Sequence, residues 1–165
     1  MKNITIHGMS NLKIRHFDMV RDLPKAVLRF NVTVPFLRFT ANYDVDGRVL
    51  LVPVRGNGDG EGNFTQIFAS GSIFGEKVSR NGKNYMMVTD MKWTIDITGD
   101  SHVQINNLFG GDKVLGQATN KIFNENWKDI FVAYRGVVEE TFSVIFRDLC
   151  NKVFNHFTFE ELYPE

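Results

Sequence analysis

Between residues 112 and 157 the chain reads DKVLGQATNKIFNENWKDIFVAYRGVVEETFSVIFRDLCNKVFNHF. Apolar side chains return every three or four positions: Leu115, Ala118, Ile122, Phe123, Trp127, Ile130, Phe131, Tyr134, Val137, Val138, Phe142, Ile145, Phe146, Leu149, Val153 and Phe154. That is the period of an amphipathic helix. At the helical rise, roughly 45 residues extend about 65 Å, far beyond what one small core covers. Something elongated must therefore lie against it. A coiled-coil partner is disfavoured, because the stripe is broad, crowded with Phe and Trp, and lacks regular flanking Glu/Lys pairs. The cover is expected upstream in the same chain. Gly136 falls inside the pattern, where glycine costs about 1 kcal/mol against alanine; a kink or a close strand contact is expected there.

The upstream segment reads as strands. Residues 3–20 alternate, with Gly8 and a phase change near His16 marking a bend. A turn is expected over residues 22–25, around Pro24. From Leu28 to Phe36 the even positions are apolar; from Leu37 to Val45 the odd positions take over. A one-residue flip beside Pro35 keeps one face dry only if the strand bulges or bends there. Asp46-Gly47 predicts the next turn, and residues 56–62, with four glycines, predict a hairpin loop. Asn81-Gly82 is the strongest hairpin signal. It leads into a strand in which Tyr85, Met87, Met91, Trp93, Ile95 and Ile97 are expected on one face. Gly110-Gly111-Asp112 ends the last short strand and places a carboxylate to cap the helix. Strands segregated ahead of a helix give an α+β architecture: about six antiparallel strands, strongly curved, rolled around one long C-terminal helix. Residues 159–165 are expected to leave the helix as an extended or turn segment.

Composition narrows the functional classes. With 165 residues one domain suffices. Nineteen basic against nineteen acidic side chains leave no basic excess for phosphates, which argues against a nucleic-acid partner. The lone Cys150 excludes an intrachain disulfide and reads as a small buried hydrophobe. The chain shows no signal-peptide pattern at its start and no membrane-spanning run. Three glycosylation sequons, at Asn3, Asn31 and Asn63, point mildly the other way, toward secretion. The histidines are scattered, the acidic turns lack calcium-loop spacing, the glycine run lacks a phosphate-loop ending, and no serine sits in a nucleophile elbow. No catalytic, metal or cofactor site is therefore expected.

Several stretches resemble a known family. Residues 107–113 (NLFGGDK), Leu115-Gly116, residues 123–127 (FNENW) and residues 161–165 (ELYPE) are similar to the C-terminal signature of the insect takeout / juvenile-hormone-binding protein family. Tyr43-Asp44-Val45-Asp46-Gly47-Arg48 and the glycine run before Asn63-Phe64-Thr65 resemble its middle strands. The resemblance runs over essentially the whole chain, in order. It implies a small secreted carrier, from a family linked to circadian and feeding physiology, whose curved sheet wraps a long helix around an apolar tunnel of the tubular lipid-binding, super-roll type. It also implies that residues 1–165 form a single lipid-binding domain lacking the family's N-terminal region, with its signal peptide and disulfide. On that reading the localisation is extracellular, or cytosolic if the chain is complete as given. Thr158 stands where the family often has proline, so a different helix exit is expected.

The expected ligand wall combines the helix stripe with the inward strand parity: Tyr85, Met87, Trp93, Phe123, Trp127, Tyr134, Phe142 and Phe146. Aromatic bodies would bury the ligand, and tyrosine hydroxyl or tryptophan N–H groups would orient it. Taken singly, each of these residues is more readily explained by core packing, and it is the resemblance that raises the set as a whole. The functional expectation is a monomeric carrier of a hydrophobic small molecule, a terpenoid, fatty acid or other lipid. The competing expectation is an interaction protein with a filled core or an exposed apolar edge that binds a protein partner. Glu139, Glu140, Lys128, Asp129, Arg147, Asp148 and Lys152 are expected on an open, solvated side.

Overall fold

The computed structural model describes residues 2–22 and 24–162, with nothing to be said of the side chains of residues 21 and 22. Its strands are β1 (Lys2–His7), β2 (Lys13–Asp22), β3 (Lys25–Val49), β4 (Val52–Arg80), β5 (Lys83–Ile97) and β6 (Ser101–Ile105). The helices follow: α1 (Lys113–Glu125), α2 (Trp127–Phe154) and the short α3 (Phe159–Leu162). The strands form one six-stranded sheet in the order β1-β3-β4-β5, with β2 pairing β3 and β6 pairing β4. Both recorded ladders, β1 with β3 and β4 with β6, run antiparallel. The α+β class and the long antiparallel sheet followed by a long C-terminal helix are thus as expected.

The chain divides into two compact units: residues 1–13, 33–68 and 96–135 in the first, residues 14–32, 69–95 and 136–165 in the second. β3, β4, β5 and α2 contribute residues to both. In the first unit, Ile6 and His7 of β1 face Phe39 and Arg38 of β3, while Gly60, Gly62 and Phe64 of β4 face Ile105, Val103 and Ser101 of β6. Its core centres on Val54, Leu108 and Phe123, with Tyr43, Val45, Val49, Val52, Ile105, Phe109 and Ile130 packed around them. In the second unit Ala26, Val32, Met86, Val88, Met91 and Ile95 are buried.

Several local expectations hold for the physical reasons given. Asn81 and Gly82 both take positive φ, 52° and 76°, as a type I′ hairpin requires. Val32 and Val34 are buried, Pro35 and Phe36 are exposed, and Ala41 is buried, so the dry face changes parity beside Pro35. Asp112 caps α1 through its carboxylate, which accepts from the Val114 and Leu115 N–H groups at 2.9 and 3.0 Å. Residues 3–20 divide at Gly8, whose φ of 98° would strain any side chain, into β1, one 3-10 turn and β2. The turn expected at residues 22–25 includes Leu23, which lies outside the described residues.

Other expectations are corrected. The single helix of about 45 residues is two helices, broken at Asn126 and not at Gly136. Asn126 leaves helical geometry at φ −116° and ψ 20°, and its side-chain amide bonds the Ile122 carbonyl that its own N–H also reaches. Asparagine competes in this way with the regular ladder. Gly136 continues α2, and a Cβ there would meet nothing within 4 Å. Asp46-Gly47 is not a turn: β3 runs on to Val49 and the chain reverses at Leu50-Leu51, because Val49 and Val52 still pack around Leu108. The glycine run at residues 56–62 is no hairpin loop but lies inside β4. A side chain at Gly62 would strike the Phe39 ring, and one at Gly58 would meet the Asn106 carbonyl at 2.8 Å. These glycines let neighbours approach the strand closely.

The strand after Asn81-Gly82 also departs from its expected parity. Met86 and Val88 are buried on one phase, then Met91 and Ile95 on the other, with Thr89 and Asp90 exposed between them. The Asp90 carboxylate accepts from the next backbone N–H, that of Met91, at 2.8 Å. This local kink moves Tyr85 and Met87 off the phase of the buried residues. Finally, residues 159–162 form α3, not an extended tail; Tyr163, Pro164 and Glu165 lie outside the described residues. Thr158 and Glu161 exchange hydrogen bonds as a capping box: the Glu161 carboxylate accepts from the Thr158 N–H at 2.7 Å, and the Glu161 N–H donates to the Thr158 hydroxyl at 3.3 Å. Thr158 thus opens α3 by this cap.

Candidate functional site

A strand edge offers unpaired N–H and C=O groups, and here the helices supply carboxamides to meet them. In the first unit Asn120 accepts from the Ile105 N–H and donates to the Ile105 carbonyl, both at 2.9 Å. Asn124 does the same to Val103, at 2.7 Å each way. Four helical residues advance about 6 Å and two strand residues about 6.7 Å, so an Asn pair spaced i, i+4 matches alternate residues of a strand. In the second unit Asn151 pairs with the N–H and C=O of Val88 at 2.8 and 2.9 Å, and Glu139 accepts from the Ile95 N–H at 2.8 Å. These polar clamps fix the helices to β5 and β6 without consuming their apolar faces. Sequence reading passed over them; the available signal was asparagine at i, i+4 next to buried positions of α1. Glu139 and Arg147, expected on the solvated side, are half-buried, whereas Lys128, Asp129, Glu140, Asp148 and Lys152 are exposed.

The eight expected wall residues do not form one group. Trp93, Phe142 and Phe146 come together in the second unit. The Trp93 and Phe146 ring centroids are 5.3 Å apart, Phe142 stacks on Phe146 at 5.8 Å, and Phe30 meets Trp93 edge-on at 5.2 Å. Phe30 was not among the expected residues; its signal was its place in the β3 alternation opposite Gly71, where a side chain would strike its ring. Phe123 belongs instead to the core of the first unit, against Val54 and Leu108. Tyr85 and Met87 are half-buried, off the Met86 and Val88 phase. Trp127 is half-buried with the Lys128 ammonium 5.6 Å from its ring centroid, and Tyr134 is exposed.

Two open clefts lie within the units. One, of about 610 Å³, is in the first unit between Asp44, Asp46, Arg55, Asn57 and Phe109. The other, of about 400 Å³, is in the second unit between Asp90, Met91, Lys92, Trp93, Ser143 and Arg147. The second adjoins the aromatic cluster, and its wall holds an unusual polar group. The Trp93 indole nitrogen is shut off from solvent and has no hydrogen-bond partner among the described residues.

Among the described residues no group of three His, Cys, Asp or Glu side chains could hold a metal ion. Burial, and more weakly the Asp59 charge, raise the Tyr43 pKa; its hydroxyl donates to the Asn106 carbonyl. Burial raises the Cys150 thiol pKa too, which favours its protonated form. The sequon residues Asn3 and Asn31 are exposed, whereas Asn63 is half-buried with its amide oxygen unpartnered. No helix among the described residues is long and apolar enough to cross a membrane.

Comparison with known proteins agrees with this architecture. The crystal structure of Takeout 1 from Epiphyas postvittana superposes with a TM-score of 0.78, covering 96% of this chain and 72% of that one at 19% identity, which establishes a shared fold. The circadian clock-controlled protein daywake of Drosophila yakuba is 29% identical over 145 residues, 87% of this chain and 55% of the relative. Its Drosophila melanogaster counterpart is 28% identical over 149 residues, 90% and 56% respectively. The chain thus spans about half the length of these relatives. The family model described as haemolymph juvenile hormone binding protein matches residues 1–164, and the chain belongs to that family.

Proposed function

We propose that this protein is a carrier that holds a hydrophobic small molecule, a terpenoid, fatty acid or other lipid, against the aromatic face of α2 and β5. The observation that carries this reading is the mismatch between apolar surface and burial along α2. The helix has 28 residues, and not one is buried. Phe142 and Phe146 nevertheless sit in an aromatic cluster beside a cleft, with Trp93 and Phe30. Half-covered aromatics next to open volume gain from a ligand that removes their remaining surface from water. Burying about 300 Å² of apolar area is worth roughly 7 kcal/mol before the costs of association. Family membership and the Takeout 1 fold support the same reading. Of the eight wall residues, we assign Trp93, Phe142 and Phe146 to ligand contact first. Tyr85 and Met87, on the same strand, are candidates after them; Trp127 and Tyr134 belong to the first unit, and Phe123 to its core. The carrier works as one domain and a monomer, extracellular like the haemolymph proteins for which the family is named, and it binds without catalysing.

The direct test is titration with a fluorescent fatty-acid analogue, followed by displacement with unlabelled fatty acids and terpenoids. Saturable one-to-one binding and displacement are expected. No saturable binding to any of them would overturn the carrier reading.

A second reading has its own observation. Ile145, Leu149 and Val153 stand between 47% and 57% exposed, spaced along one side of α2. A stripe of that kind also suits a protein partner. Sizing of the purified chain with and without added lipid separates the two: self-association or co-elution with another protein that lipid does not reverse favours the interaction reading.

A further inference from the structure

The hairpin that joins β3 to β4 turns on two leucines, Leu50 and Leu51, and folding accounts for neither. Leu51 is 89% exposed and Leu50 46%. Leu50 also takes a φ of 54°, the left-handed region that a bulky apolar residue adopts only at a cost. The hairpin joining β4 to β5 shows the ordinary solution, with Asn81 and Gly82 at φ 52° and 76°. Asparagine or glycine at residue 50 would ease the backbone and remove apolar exposure together. The other exposed apolar side chains of the first unit, Ile4, Ile6, Phe36 and Leu115 among them, lie along strands and helices, whose periodic faces govern residue type. A two-residue turn makes no such demand.

The tip stands on a firm stem. Val49 and Val52, on either side of it, pack against the core of Val54, Leu108 and Phe123. Further down, Asp46 and Arg55 face each other across the two strands at 3.5 Å, so those charges offset one another. Arg48, two residues before the turn, is exposed and has no acidic partner among the described residues. A guanidinium beside an apolar tip complements a phospholipid surface, which offers phosphate outside and acyl chains within. A protein partner needs roughly 800 Å² of matching surface on each side, far more than a two-residue turn provides. A fluid lipid layer closes around a narrow tip without that requirement.

Resting on the carrier reading, we propose that the Leu50-Leu51 hairpin tip docks this protein on phospholipid bilayers. The two leucines enter the outer part of the acyl layer, and the Arg48 guanidinium donates to a lipid phosphate. Sparingly soluble cargo partitions into membranes as well as into its carrier, so a foothold there brings donor and acceptor together. Two leucine side chains give a weak, reversible attachment and not an insertion, as suits a carrier that must leave again.

The experiment floats the purified chain with vesicles of phosphatidylcholine, and of phosphatidylcholine mixed with phosphatidylserine. It is compared with Leu50→Gly/Leu51→Ser and with Arg48→Gln. Glycine suits the φ of residue 50, so the double variant is expected to be at least as stable as the wild type in urea denaturation. The wild type is expected to float with both vesicles, and the double variant to partition about tenfold less or weaker still. Arg48→Gln should lose about fivefold, chiefly on the serine lipid. With brominated acyl chains, the fluorescence that Leu51→Trp adds to the wild-type signal should be quenched. A wild type that does not float, or a double variant that floats equally well, overturns the docking site. Uptake of a fluorescent fatty-acid analogue without vesicles, equal in wild type and double variant, then leaves the carrier reading standing. Vesicle docking by a chain that takes up no such analogue removes the carrier reading and keeps the tip. A wild-type dimer that the double variant dissolves assigns the tip to a second copy and overturns the proposal.

Discussion

α1 and α2 follow one another with a single residue between them, yet they are held in different ways. α1 buries Thr119, Asn120 and Phe123 and is clamped to β6 by two carboxamides. α2 is more than twice as long, has no buried residue, and leaves Val137, Val144, Ile145, Leu149 and Val153 exposed. Its attachments recorded in the second unit are the hydrogen bonds of Asn151 to Val88 and Glu139 to Ile95 and the Phe146 ring against Trp93. The difference teaches that α1 is anchored to a core through Phe123 and its carboxamides even though Val114, Leu115 and Ile122 stay exposed, whereas α2 buries no residue and keeps the larger apolar surface in reserve. A carrier needs such a reserve, since a face already fully packed has nothing to offer a ligand.

Substitutions should break or sharpen this contrast. Phe123→Ala in α1 is expected to cost about 3–5 kcal/mol in urea denaturation, because it opens a cavity beside Val54 and Leu108. Phe146→Ala in α2 should cost clearly less stability while weakening binding of the fluorescent lipid; equal losses of stability would erase the distinction between the helices. Next in size, Asn120→Ala strands the Ile105 N–H and C=O, for about 2–4 kcal/mol. Asn120→Asp keeps the acceptor and loses the donor, so it should fall between the two. Gly62→Ala drives a methyl into the Phe39 ring and is expected to cost about 1–3 kcal/mol by the same denaturation. Smallest of all, Val137→Ser and Ile145→Ser should change stability by no more than about 0.5 kcal/mol, as suits exposed positions.

The C-terminal cap adds a pH dependence with a definite sign. Hydrogen bonds from the Thr158 N–H and then its hydroxyl hold the Glu161 carboxyl below its ordinary pKa, and the Asn84 amide leads the causes that do the same for Glu160. Each favours the folded form while ionised. Their contribution is therefore complete above the ordinary carboxylate pKa and fades as pH falls through the lowered values. Amide shifts of Thr158 and Glu161 followed by NMR should show α3 fraying in that acidic window, and Thr158→Ala should bring the fraying to higher pH.

How much the sequence reveals depends on the range of the forces involved. Asn81-Gly82, the Asp112 cap and the parity change beside Pro35 rest on local conformational preference, and each is legible. Asp46-Gly47 carries an equally good local turn signal, but the Val49 and Val52 contacts with the Leu108 core keep the strands extended past it. The glycine run at residues 56–62 looks like a loop until Phe39, Tyr43 and Asn106 are seen approaching it. Partners distant in sequence decide such cases, and spacing carries no trace of them. The wall residues show the same limit. Helical period puts Phe142 and Phe146 on one face, whereas the kink at Thr89-Asp90 takes Tyr85 and Met87 off the phase of the buried strand residues. Phe123 shares the stripe but belongs to a core, because the helix breaks at Asn126. Thr158 and Glu161 were readable as a capping box and were passed over in favour of the expected proline.

The reserve of apolar surface on α2 is most directly tested by native mass spectrometry and lipid extraction of the protein purified from its source organism. A carrier should emerge with a hydrophobic molecule bound in one-to-one ratio and released on denaturation. Protein that carries nothing, and then takes up no terpenoid, ester or fatty acid when these are supplied, would contradict the account.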